Sequence, residues 1–216
     1  RVKNNLQIIS SLLSMQQRAV SDAAAKSALG DTRQRISALA LIYRTLYQSD
    51  DVRHADAREF LTELVGQLVA AEAGRGPMVI SSVDADSLYV DPDKLAPLAL
   101  WLVEAISNAQ KHAFVGRGGE LKVRFRVRGD TSVLEVEDDG PGVAFSDLHR
   151  LGRRFFRAAN APSGGSGLGL SIVLATVKAH GGQVQFLRSP GGGLRVEVIV
   201  AIEASGSMHK PSTLTD

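Results

Sequence analysis

The chain has 216 residues, of which 44% are hydrophobic and 22% charged, with a formal net charge of +2 and no cysteine. That supports one large domain or two small ones with real cores, and it excludes disulfides, thiolate metal sites and, because the basic residues are scattered, a nucleic-acid footprint. No apolar run reaches the roughly 18 residues that span a bilayer and no signal-peptide pattern opens the chain, so a cytoplasmic piece is expected.

Residues 1–29 carry Val2, Leu6, Ile9 and Leu13 at helical spacing, with Ile8, Leu12 and Met15 widening the stripe. Gly30 is expected to break this first helix. Asp31 and Gln34 have capping-box spacing, and Ile36, Leu39, Ala40, Tyr43 and Leu46 extend a second amphipathic helix to about Gln48. Two such helices joined at one glycine make an antiparallel hairpin. A lone hairpin does not bury stripes this broad, so pairing with a second copy into a four-helix bundle, and hence a homodimer, is expected.

Residues 49–55 read as a hinge. Asp56 and Glu59 form another capping-box pattern, opening a helix through about Ala73 with Phe60, Leu61, Leu64, Val65 and Leu68 as its buried stripe. Gly74-Arg75-Gly76-Pro77 stops it, and Met78 to Val83 and Leu88 to Val90 read as strands. Asp91-Pro92 supplies an N-cap and a first-turn proline for a helix running to His112. Leu98, Leu102, Ala105, Ile106 and Ala109 form its core face. Glu104, Asn108 and Lys111 or His112 share the opposite face, an acid, an amide and a cation at spacings of three and four. Taken alone, such a face is either solvated surface or a site.

Beyond Gly116-Arg117-Gly118-Gly119, the runs Leu121 to Arg128 and Ser132 to Glu137 read as strands joined at Gly129-Asp130. The second ends in Val136-Glu137-Asp138-Asp139-Gly140-Pro141-Gly142. A mostly polar stretch, 143–166, holds Phe155-Phe156-Arg157, and Gly164-Gly165-Ser166-Gly167-Leu168-Gly169-Leu170-Ser171 opens a helix reaching His180. Gly181-Gly182 ends it. Gln183 to Arg188 and Leu194 to Ile202 make a last hairpin, and 205–216 read as a disordered tail. No Gly-x-x-x-x-Gly-Lys-Ser/Thr occurs, and a polar loop rather than a strand precedes the glycine run, so the common nucleotide fingerprints do not fit.

The order of the Asn108 helix, then Asp138-x-Gly140-x-Gly142, then Gly165-x-Gly167-x-Gly169 resembles the ATP-binding domain shared by sensor histidine kinases, gyrase-type ATPases, Hsp90-type chaperones and mismatch-repair ATPases. The resemblance covers about residues 77–202. It implies a two-layer α/β sandwich that binds ATP, with Asn108 holding magnesium and Asp138 accepting the adenine amino group. Gly165, Gly167, Leu168 and Gly169 would bring backbone amides to the phosphates, with Lys111 and His112 nearby. Phe155-Phe156 is similar to the aromatic box these kinases carry before the second glycine motif, within an ATP lid; an ordinary buried aromatic anchor is the alternative. Arg153, Arg154 and Arg157 are candidates for phosphate or hairpin contacts.

Arg1-Val2-Lys3-Asn4-Asn5-Leu6-Gln7 and Arg35-Ile36-Ser37-Ala38-Leu39-Ala40 resemble the dimerisation and phosphoacceptor hairpin of one subclass of sensor histidine kinase, whose first helix reads His-Arg-x-Lys-Asn-Asn-Leu-Gln. The implied phosphate-accepting histidine sits immediately before Arg1, so the sequence given begins one residue after it. None of its five histidines replaces it by motif, and a boundary of the sequence rather than an evolved loss is expected. Asn4, one turn after that histidine, would orient a water in removing phosphate from the partner, or is a plain exposed asparagine. Glu104 is a candidate base for the imidazole, its alternative duty being to orient water or magnesium ligands.

The expected division is a hairpin with linker at 1–65, an ATP-binding domain at 66–204 and a tail at 205–216. The expected function is the catalytic core of a homodimeric sensor histidine kinase. It would use ATP and magnesium to phosphorylate a hairpin histidine and pass the phosphate to an aspartate of a response-regulator receiver domain, with an upstream sensory domain. A phosphatase activity toward that regulator would be a second role. A docking module that binds a regulator without ATP turnover is the alternative, but such a module has no need of both Asn108 and Asp138. An ATP-driven clamp of the gyrase or chaperone type is disfavoured by the short hairpin.

Overall fold

The structure, a computed structural model, describes residues 2–47, 55–70, 77–158 and 169–201. The expected hinge, but for Ala55, lies outside the described residues. So do the breaker at 74–76, the glycines at 164–168, Arg1 and the tail.

Helix α1 (Val2–Ala19) ends about ten residues before the expected stop at Gly30, and α2 (Ala23–Tyr47) runs straight through that glycine. Asp22 decides the matter. Its Oδ1 accepts from the Ala25 N–H at 2.7 Å and its carbonyl from the Lys26 N–H at 2.9 Å, so Val20-Ser21-Asp22 is the turn and Asp22 the N-cap. A mid-helix glycine costs only about 1 kcal/mol relative to alanine, too little to outweigh a cap in the right place. At Gly30 a Cβ would lie 2.8 Å from Gln17 Nε2, the far end of a flexible side chain that can give way. Asp31 and Gln34 therefore stand inside α2 rather than at its start; their side chains lie outside the described residues.

The buried face of α2 also differs from the expected stripe. Ala38 and Ile42 are buried, joining the core formed by the following domain, whereas Leu39 and Tyr43 are exposed. Those two residues of the expected stripe are the ones left for a partner. Ile8, Leu12 and Met15 on α1 are likewise more than half exposed.

Strand β1 (Ala55–Asp56) pairs antiparallel with β3 (Tyr89–Val90), just before α3 (Ala57–Ala70). Asp56 caps α3, accepting from the Arg58 N–H at 2.8 Å through Oδ1 and from the Ser87 hydroxyl at 2.7 Å through Oδ2. Phe60, Leu61, Leu64 and Val65 are buried as the spacing indicates. Helix α4 (Pro92–Asn108) begins on Asp91, whose carboxylate accepts from the Asp93 N–H at 2.9 Å. It is buried nearly all round, Trp101, Leu102 and Val103 included, so it is the central element of a core and not an amphipathic surface helix. It opens into a single π-helical turn, Ala109–Ala113, closed by the Phe114 N–H on the Ala109 carbonyl at 3.2 Å.

The sheet has the order β2 (Val79–Ala85), β4 (Gly119–Arg128), β5 (Thr131–Asp138), β7 (Leu194–Ala201), β6 (Gln183–Arg188); β2 lies parallel to β4 and the other pairs are antiparallel. Leu121, Val123, Phe125, Leu134, Val136, Val196 and Val198 turn one face of it to α3, α4 and α6 (Gly169–Ala179), the last of which follows the short α5 (Phe145–Leu148). Arg124 with Glu135 and Glu137, and Arg126 with Asp84, pair across the other face. A helical hairpin followed by a two-layer α/β sandwich is the fold class the sequence predicts.

Asp22→Ala should cost about 1 kcal/mol of stability in denaturant unfolding, the usual loss of an N-cap, whereas Gly30→Ala should be neutral or stabilising because only the flexible end of Gln17 must yield. A destabilising Gly30→Ala with a neutral Asp22→Ala would restore the turn to residue 30.

Candidate functional site

A cavity opens where the C-terminal end of α4 and its π turn meet the end of β5, the start of β7 and the first residues of α6. At one end stands Asp138, 9% exposed at the last position of β5. Its Oδ1 accepts from the Gly140 N–H at 2.9 Å and the Leu194 N–H at 3.2 Å. Burial pushes its carboxyl above the usual aspartate range, and the two backbone donors offset this only in part. The neighbouring acids are engaged elsewhere. Glu137 accepts from the Ser189 hydroxyl at 2.9 Å and from Arg124 at 2.9 Å, and Asp139 faces Arg117 at 3.4 Å. Of the three consecutive acids, Asp138 is therefore the one that lines the cavity.

The glycines after it let the chain close round the carboxylate. A Cβ on Gly140 would lie 2.4 Å from the Cβ of Ala113 in the π turn. Gly142 has φ of 65°, and a Cβ there would lie 2.3 Å from the Gly192 carbonyl oxygen. The expected acid, amide and cation positions converge on the same cavity: Glu104, Asn108, Lys111 and His112 all line it. The solvated-surface alternative fails at Glu104, which is 7% exposed. Asn108 carries a buried side-chain Nδ2 without a hydrogen-bond partner, a polar atom that a ligand in the cavity could satisfy. Lys111 and His112 stand on the exposed rim.

The far end of the cavity holds two groups whose proximity no local sequence signal gave. Arg35 of α2 reaches in and grips Glu104 with both nitrogens of a fork, Nε on Oε1 and Nη2 on Oε2 at 3.2 Å. The pair is 69 residues apart in the chain. Gly169, first residue of α6, lies against both: a Cβ there would be 2.5 Å from Glu104 Oε2 and 2.9 Å from Arg35 Nη2. The Ser189 to Gly193 turn with the Leu194 amide is the other contribution the sequence reading missed. Phe156 lines the cavity and lies under the Arg150 guanidinium at 4.3 Å, and Arg157 lines it too. Phe155 is 73% exposed at φ of 63°, so the buried-anchor alternative does not hold for it. Gly165, Gly167 and Leu168 lie outside the described residues. Asn4 lies in α1, and its side chain is outside them too.

Residues 1–72 match the family model described as histidine kinase, and residues 94–204 match the model described as histidine kinase-, DNA gyrase B-, and HSP90-like ATPase. The chain is 39% identical over 122 residues to "Sensor protein SphS" of Synechococcus elongatus, covering 51% of this chain and 29% of that one. It is 35% identical over 180 residues to "Probable sensor histidine kinase HK" of Mycobacterium tuberculosis, covering 82% and 46%. The chain thus spans less than half the length of these relatives. Among solved structures it is similar to the mycobacterial sensor histidine kinase MprB, at 25% identity and a TM-score of 0.57 over 70% of this chain and 99% of that one. It shares the fold of the histidine kinase domain of the Erythrobacter litoralis EL346 blue-light activated kinase, at 20% identity and a TM-score of 0.60 over 92% and 94%. With the ATPase model matched over more than half its length and the kinase helical region ahead of it, the chain belongs to the histidine kinase-, DNA gyrase B- and HSP90-like ATPases, on their sensor histidine kinase branch.

Proposed function

We propose that this chain is the catalytic core of a homodimeric two-component sensor histidine kinase. ATP gives up its γ-phosphoryl group to an imidazole nitrogen on the hairpin, and the phosphate then passes to an aspartate of a response-regulator receiver domain. The observation that carries the reading is the single cavity in which the buried Asp138 carboxylate, the unpartnered Asn108 Nδ2 and the start of α6 face a common space beside the hairpin.

The roles of the described residues follow from their surroundings, and those of Asn4, Gly165, Gly167 and Leu168 from the family resemblance alone. Because Oδ1 of Asp138 is held by two backbone donors, Oδ2 is the oxygen proposed to accept the adenine amino group. Gly140 and Gly142 shape that end. Lys111 and His112 on the rim, with Gly165, Gly167, Leu168 and Gly169, are assigned to the phosphates, where a helix N-terminus and backbone amides favour anions. Among the described residues no cluster of three or more ligating side chains stands together. The donor set fits magnesium, which takes one or two protein oxygens and completes its shell with substrate phosphates and water. Asn108 would hold that ion through its side-chain oxygen, leaving the unpartnered Nδ2 to donate to a phosphate, and the ion when bound would neutralise phosphate charge. Glu104, whose two oxygens Arg35 holds in this arrangement, is proposed as the carboxylate that receives the imidazole proton once the hairpin has moved off that fork, and Asn4 as a residue that orients water when phosphate is removed from the regulator. Catalysis is then mainly positioning and charge neutralisation.

No helix among the described residues is long and apolar enough to cross a membrane, and a cytoplasmic location with a sensory domain upstream is the proposed setting. The hinge between acceptor hairpin and ATPase domain is assigned to 49–55, since α3 packs into the ATPase core. The exposed Ile8, Leu12 and Met15 are assigned to the dimer bundle.

Asp138→Asn should weaken binding of a fluorescent ATP analogue about 10- to 100-fold, the loss of a hydrogen bond to a charged acceptor; unchanged affinity would remove Asp138 from the adenine site. The ionised carboxylate is the acceptor and its folded pKa is raised, so wild-type affinity should fall on acidification from a pH above the ordinary aspartate range. Stability runs the other way. A buried ionised acid destabilises the fold above its raised pKa and is relieved as pH falls through it, so Asp138→Asn should melt at or above wild type near neutrality, the gap closing in acid. Asn108→Ala should abolish the tightening of ATP binding by magnesium over chelator; a preserved magnesium effect would sink that assignment. Light scattering should report a dimer of the chain and a monomer of Leu12→Glu/Met15→Glu; a dimer unaffected by the two charges would move the interface elsewhere.

A further inference from the structure

Asp138 is joined through Gly140 to Ala113 of the π turn, whereas the Arg35–Glu104 pair lies nine residues earlier along the same helical run, against the first residue of α6, so the two line different parts of one cavity. On the reading of the cavity as an ATP site, with the base at Asp138, the pair stands where the terminal phosphates fall. A carboxylate there is a problem: Glu104 is 7% exposed, and an unpaired negative charge in so dry a place repels an anionic ligand far more than one in water. Among the described residues its ion-pair partner is not one of the ATPase domain's own. It comes from the hairpin, on the face of α2 that carries the buried Ala38 and Ile42, with Arg44 Nη2 donating to Gln67 Oε1 of α3 at 2.9 Å further along.

We propose that Arg35 is a specificity-determining residue of the nucleotide pocket supplied by the hairpin: by neutralising Glu104 at the phosphate end, it lets the cavity take a nucleoside triphosphate with full affinity only while the hairpin is docked. The discrimination is confined to the phosphate end. A ligand without phosphates meets Asp138 and the Val136 and Val196 wall but not the Glu104 charge, and is indifferent to Arg35. The bidentate fork adds a geometric demand, because only a planar guanidinium occupies both carboxylate oxygens at once. Coupling between two sites is reciprocal, so a pocket whose triphosphate affinity depends on docking is also one in which triphosphate favours docking.

Calorimetric titration of the 216-residue chain with ATP, ADP and adenosine, in magnesium, tests this. Arg35→Ala should weaken ATP at least about fivefold, the lower end of ordinary coupling, and leave adenosine within about twofold. ADP should fall between. Glu104→Gln alone should not weaken ATP, since it removes the repulsion and keeps the cation. The double variant Arg35→Ala/Glu104→Gln should return ATP to within about twofold of wild type, a rescue that loss of packing alone does not give. Arg35→Lys should recover part of the ATP affinity. Two results would overturn the proposal: Arg35→Ala binding ATP like wild type, or losing ATP and adenosine in step without rescue by Glu104→Gln. A wild-type chain that binds none of the three ligands would strike the ATP reading itself.

Discussion

A carboxylate withdrawn from water must have its charge answered, and the cavity is arranged around two answers of different kinds. Asp138 is met by main-chain donors, the Gly140 and Leu194 N–H groups on one oxygen, which fix its direction without cancelling its charge. Burial still wins, and the carboxyl remains harder to ionise than in water. Such a group has most to gain from a ligand that donates a hydrogen bond. Glu104 is met instead by a full positive charge in a bidentate grip. It has little to gain from a donor and needs its guanidinium if anything anionic is to sit nearby. On the proposed function, the difference separates a base-reading end from a phosphate end within one cavity.

That asymmetry makes the glycines intelligible. To bring the Leu194 amide onto Asp138, the loop after β5 must close over the Ser189 to Gly193 turn. A side chain at Gly140 or Gly193 would run into Ala113 or into Asp138 itself. At the other end, a side chain at Gly169 would wedge between α6 and the ion pair. The glycines mark where backbone and charged side chain approach within contact distance, which is a packing demand before it is a phosphate-binding one. Ser189 serves the same closure from outside, turning Glu137 away with a 2.9 Å hydrogen bond so that adjacent acids on one strand do opposite things.

The parts of this legible in the sequence are those specified within a few residues. Asp91-Pro92 starts α4 because an N-cap and a first-turn proline are local facts, and the Gly129-Asp130 turn between β4 and β5 is another. The acid, amide and cation spacing of Glu104, Asn108 and Lys111 is helical geometry and survives even the change to a π turn after Asn108. What failed was a contest between two local signals. Gly30 looked like a breaker, yet Asp22, eight residues earlier, offered a cap whose stabilisation matches the modest penalty of a helical glycine. A second buried face of α2 went unseen for a different reason. Apolar residues lie on two adjoining faces, and only the neighbouring domain decides that Ala38 and Ile42 go inside while Leu39 and Tyr43 stay out. Arg35 was beyond reach altogether, since its partner is 69 residues away and carries no spacing rule.

Those two faces of α2 bear on how one short hairpin serves several contacts. Successive residues on a helix are about 100° apart, so the face of Arg35, Ala38 and Ile42 and the face of Leu39 and Tyr43 are neighbours without being the same surface. The first is committed to the ATPase domain; the second, with Ile8, Leu12 and Met15 of α1, is left apolar and uncovered in a single chain. Apolar area of that kind favours a protein partner, and the partner consistent with a kinase hairpin is another hairpin. Covering it does not require the ATPase domain to let go. Pairing of chains and docking of the nucleotide site are therefore separable, and only the second is tied, through Arg35 and Glu104, to what the cavity holds.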